Sequence, residues 1–87
     1  MITNESELVE AMRRSRLVEI NVARADRPIL EARFGQVWDP QQLRQDFEVL
    51  EFAAPYVVVR RRSDGALGSL EFQGEPRFYF NFEADRA

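Results

Sequence analysis

The chain has 87 residues, a formal net charge of -3 and a composition that is 45% hydrophobic and 31% charged, which describes one soluble domain with a single core. It has no cysteine, no histidine and no lysine, since all 12 basic residues are arginine. That excludes disulfides, thiolate or Schiff-base nucleophiles, Cys- or His-based metal sites and a P-loop lysine. The exclusive use of arginine is read first as the coding bias of a GC-rich bacterial genome. No run approaches the roughly 18 apolar residues of a membrane span. Met1–Glu10 carries acids where a signal peptide has basic and then apolar regions, so the expected location is the cytoplasm.

Taken in chain order, Asn4 with Glu7 three residues on predicts a capping box and a helix over 4–14, with Ile2, Leu8 and Met12 as an apolar stripe. From Leu17 the pattern alternates. Val18, Ile20 and Val22 predict a strand, and Leu30, Ala32 and Phe34 a second one, paired as an antiparallel hairpin with Glu19 opposite Arg33. Asp39-Pro40 is a helix start, and Leu43 and Phe47 at i, i+4 predict a helix over about 40–47, with Trp38 packing on Leu43. Glu48–Phe52 reads equally as a last helical turn or a short strand.

Tyr56–Arg62, a turn at Asp64-Gly65 and Leu67–Gln73 predict a hairpin, with Val59 opposite Leu70 and Val57 opposite Phe72. A three-residue loop, Gly74-Glu75-Pro76, then leads into a last strand with Phe72 opposite Phe78 and Leu70 opposite Phe80. The expected architecture is a single α+β domain spanning 1–87, in the order α-β-β-α-β-β-β. Its sheet is mostly antiparallel and its helices pack on one face.

Four features carry possible function. The outer sheet face is expected to show Tyr56, Arg60, Arg62, Glu71, Gln73, Arg77, Tyr79 and Asn81, with Val58 among them. Tyrosine and arginine anchor protein interfaces, and arginine interleaved with aromatics also suits single-stranded nucleic acid. A pI near 4.9 speaks against the second reading. Arg13, Arg14 and Arg16 with Arg60–Arg62 form a possible basic patch, or simply complement a helix C-terminus. Asp39, Asp46, Glu48 and Glu51 read better as a cap and a solvated face than as a metal or acid/base site. Seven phenylalanines are generous for so small a core, and surplus apolar area marks an interface.

These features favour a non-catalytic protein-interaction module of accessory, adaptor or inhibitor type, with no cofactor and no metal. It would bind a protein partner or a second copy of itself through a sheet face or an exposed edge strand, with Tyr56, Val58, Arg60, Arg62, Arg77 and Tyr79 as the contact residues. A nucleic-acid-associated protein using the same face is the alternative, and a carboxylate-based enzyme comes third.

Overall fold

A computed structural model describes residues 5–85; the capping box at Asn4 and the contribution of Ile2 to the first helix lie outside the described residues. Helix α1 spans Glu5–Val22, α2 Arg27–Phe34 and α3 Pro40–Asp46, and five strands make up the rest: β1 Val37–Trp38, β2 Phe47–Ala53, β3 Tyr56–Arg61, β4 Leu67–Gln73 and β5 Phe78–Ala84. The sheet is antiparallel throughout, in the order β1-β5-β4-β3-β2. The α+β class is as expected from the sequence.

The expected hairpin over 17–34 is instead two helices. No glycine or proline interrupts 5–22, and Glu10–Arg13 and Arg16–Glu19 ion pairs at i, i+3 support the helix along its length. The short alternation of Val18, Ile20 and Val22 fits a helix as well as a strand, because Val18 and Val22 are also i, i+4. Asp26 occupies the N-cap position of α2, with Pro28 in the first turn and Gly35 ending the helix at φ 82°. Leu30 and Phe34, one turn apart, then lie on the inner face.

Helix α3 starts as the sequence indicates. Asp39 Oδ1 accepts from the Gln42 N–H at 2.7 Å, and Gln42 Oε1 accepts from the Asp39 N–H at 3.1 Å, which completes a capping box. Replacing Asp39 with alanine is expected to cost about 1 kcal/mol. A urea-midpoint shift with an unchanged slope would register it. Trp38 and Leu43 share one core cluster, as a staple requires, and Glu48–Phe52 is strand.

The helices occupy both faces of the sheet, not one. Along β1 and β5 the side chains alternate, so Val37 and Phe80 pack with Ile20 of α1 and Leu30 of α2, while Trp38 and Tyr79 pack with Leu43 of α3. Phe47, Val57, Val59 and Leu70 complete the second cluster.

Both expected hairpins form, but with different registers. Val57 opposes Leu70 and Val59 opposes Gly68, a two-residue slip that keeps each side chain on its face. The turn is longer than two residues, since the Arg61 N–H donates to Ala66 O and Asp64 Oδ1 accepts from the Ala66 N–H. The second connection has four residues, not three. Phe72 therefore opposes Tyr79 and Glu71 opposes Phe80, which exchanges the two faces of β5 at its start. A bulge follows, with Asn81 at φ 60°, and returns Phe82 to the side of Phe47.

Candidate functional site

The polar residues expected on an open sheet face are largely internal anchors. Glu71, on β4, is buried beneath α1 and takes a two-point contact from Arg16, through Nε and through Nη2 at 2.9 Å. Asn81 Nδ2 donates to the same carboxylate at 2.8 Å. Burial pushes the Glu71 carboxyl up, but the hydrogen bonds from Arg16 and Asn81 together hold it below its ordinary value; Glu71 in turn raises Arg16. Buried Gln73 accepts from the Ala25 N–H and donates to Ala25 O and Pro76 O, which ties the α1–α2 connection to the sheet. Sequence gave no sign of this use, because a polar residue on a strand looks the same whether it meets water or a helix.

The arginines are similarly engaged. Arg60 pairs with Glu48 across β2 and β3 at 3.1 Å, and Arg13 bonds Glu10 and Ala54 O. Arg61 grips Asp64 through Nε and Nη2 while its guanidinium lies 5.0 Å from the centre of the Phe82 ring. That contact, with the Ala66 N–H, holds the Asp64 carboxyl at about 2. The basic patch joining Arg13–Arg16 to Arg60–Arg62 therefore consists mostly of paired cations. The acidic group is dispersed as well: Asp39 caps α3, Asp46 accepts from Trp38 Nε1 and Glu48 holds Arg60. Among the described residues no three carboxylates converge as a metal-binding group.

The expected interface residues separate into three places. Tyr56, Val58 and Arg60 share one face of β3, the tyrosine and valine half-buried and the arginine exposed. Arg77 lies on the opposite face, its guanidinium 4.9 Å from the Phe72 ring centre, and donates to the Tyr79 hydroxyl at 3.3 Å. Tyr79 itself is buried in the core and is no contact residue; its hydroxyl positions Arg77. Arg62 sits at the far end of β3, where its Nε donates to Arg44 O.

What unites the first two groups is β2, the edge of the sheet. All but Leu50 of its seven residues pair with β3 on one side, and among the described residues no strand lies on the other. Phe52, 54% exposed, stands edge-on to Phe72 on the face that carries Arg77; Leu50, 45% exposed, sits at a bulge. Glu51 is opposite Val58 and Glu48 opposite Arg60 on the other face. The edge is thus apolar at Leu50 and Phe52 and acidic at Glu48 and Glu51.

A second concavity, of about 760 Å³, lies between the end of α3 and the β3–β4 turn. Trp38, Phe47 and Phe82 supply its aromatic wall, with Arg61, Arg62 and Gln45 at its polar border. It was not legible from spacing, because its lining comes from segments more than 40 residues apart.

Fold and edge together define a small α+β sheet domain with a long edge strand, β2, open on one side. No protein-family model, curated protein or solved structure matches the chain. Among the described residues no helix is long and apolar enough to cross a membrane.

Proposed function

We propose that this protein is a non-catalytic interaction module that receives an extended segment of a partner protein along the β2 edge. The observation that carries this reading is the seven-residue edge strand, paired with β3 on one side only and with Leu50 and Phe52 exposed on it. An added strand gains main-chain hydrogen bonds, and alternate side chains of that strand meet the two faces of the sheet. One set would reach Phe52, Phe72 and Arg77, and the other Tyr56, Val58 and Arg60.

Edge acids and bulges also serve to discourage pairing. Here they select: Glu51 would meet its own kind in a β2–β2 pair and favours a segment carrying basic residues, while Glu48 is held by Arg60. Nucleic acid draws less support, because Arg60, Arg61, Arg13 and Arg16 are already held by carboxylates. A chain without cysteine requires no oxidising compartment, and we place the module in the cytoplasm.

Leu50→Lys lies at an exposed position and is expected to shift stability by no more than about 0.5 kcal/mol, whereas Phe52→Lys also loses the edge-on contact with Phe72 and is expected to cost about 1 kcal/mol. Both are expected to abolish partner capture in paired pull-downs with the unaltered chain. Hydrogen exchange should show β2 amides becoming protected in the complex. Protection elsewhere with β2 unchanged, or capture that survives both substitutions, would reject the edge as the site.

A further inference from the structure

We infer that the outward face of α1 is a homodimer contact, in which two copies of the helix pack antiparallel about a two-fold axis through Ser15. This surface is separate from the β2 edge, and the inference does not rest on it. Helix α1 meets the sheet with Arg13, Arg16, Leu17 and Ile20, all buried or half-buried. Its opposite side leaves Leu8, Met12, Val18 and Val22 exposed by 46, 60, 61 and 81%. An amphipathic helix ordinarily turns its apolar stripe to the core. Here the helix is fastened from within by Arg16 on Glu71 and Arg13 on Ala54 O, and the stripe faces out.

The spacing of the stripe identifies its occupant. Leu8 and Met12 precede Ser15 by seven and three residues, and Val18 and Val22 follow it by three and seven. Reversing the helix about Ser15 therefore superimposes the stripe on itself. Leu8 of one copy meets Val22 of the other, and Met12 meets Val18. Such self-complementarity is what an isologous contact requires, with every residue pair occurring twice. The short Ser15 side chain at the axis permits close approach, within the 8–10 Å usual between packed helices. Glu19, one turn from Ser15, lies within the stripe; Arg16 holds its charge, and it falls opposite the small Ala11 of the other copy.

The area sets the strength. With Ser15 at the axis the two helices overlap over residues 8–22, a seam about 22 Å long. A single helix pair of that length lies at the small end of specific interfaces, which begin near about 1,000 Å² in total. The dimer is therefore concentration-dependent, with dissociation on the order of micromolar.

The absence of native cysteine makes a direct test simple. Under mild oxidation Ser15→Cys is expected to give a disulfide-linked dimer rapidly, because the two sulfurs meet at the axis. Gln41→Cys, on exposed α3 surface, should not. Sedimentation of the unaltered protein should show the mass rising from 10.2 kDa toward twice that value with concentration. Val18→Glu and Val22→Glu should each weaken association at least about tenfold, with Tm unchanged at concentrations where both proteins are monomeric, since symmetry introduces every charge twice. A single-chain mass at all concentrations would overturn the inference. So would a dimer that survives Val18→Glu but is lost in Phe52→Lys, or Ser15→Cys cross-linking no faster than Gln41→Cys. Binding to phosphatidylglycerol vesicles that Val18→Glu removes, without any dimer, would overturn it in favour of a lipid surface.

Discussion

Gly68→Ala is expected to destabilise the protein by about 3 kcal/mol, although it adds one methyl group. A Cβ at this position would stand 2.6 Å from Glu83 O and 2.7 and 2.8 Å from two carbons of the Phe82 ring. The ring can rotate away, but the carbonyl belongs to β5, which is paired with β4 at this point, so relief requires the two strands to separate. For a chain of this size such a loss lowers Tm by roughly 12–24 °C. Gly74→Ala is the matched control, because a Cβ there meets nothing within 4 Å and the backbone needs no special conformation. Phe82→Leu in the Gly68→Ala background should recover only the ring's share. A Gly68→Ala protein melting within about 2 °C of the original would show that β4 and β5 do not approach this closely. The same close approach lets Phe82 lie between Phe47 and Arg61, where it forms a wall of the 760 Å³ concavity.

Legibility in the sequence followed the range of the determinants. Asp39-Pro40 names a helix start through local bonds alone, and the structure has it. Asp64-Gly65 names a turn for the same reason, and Gly65 takes the positive φ of 74° there. The face assignments of β3 and the first part of β4 were also readable, because a two-residue slip leaves parity intact. Parity failed at β5. The connection has one residue more than its Gly-Glu-Pro core suggests, and that exchanged Tyr79 from surface to core. Residues 17–34 failed because six alternating positions fit both periods, and α1 presents the less apolar of its faces to the sheet.

The candidate edge shows the same division. Tyr56, Val58 and Arg60 were singled out by residue type, and they lie on β3 beside one strand; Arg77 reaches that strand only through Phe72 and Phe52. That strand, β2, was legible only as helical turn or short strand, and its role as an edge depends on strand order, which no local pattern encodes. Phe52 was counted toward the apolar surplus, and its exposure gives that surplus a location.

The second large effect is expected at Glu71 and Arg16, which join α1 to the middle of the sheet. Glu71→Ala removes the buried partner of Arg16 and leaves its guanidinium with the exposed Glu19 alone. Breaking a buried pair from one side costs about 3–5 kcal/mol, and because 30% of the Arg16 side chain remains exposed the lower figure is expected. Arg16→Met should cost at least as much, since Glu71 is the more deeply buried partner and keeps only Asn81. Combining Arg16→Met with Glu71→Leu should recover most of the loss, because both desolvated charges go together and Asn81 and Glu19 turn to water. Acid supplies an independent reading. The folded Glu71 carboxyl lies below its unfolded value of about 4.3, so its contribution is complete above that pH and disappears as pH falls through the folded value. Melting curves between pH 7 and pH 2 should therefore fall less steeply for the double variant than for the original chain. Equal acid slopes, or a double variant no more stable than Glu71→Ala, would mean that apolar packing by Leu17 and Ile20 holds α1 in place and that the ion pair adds little.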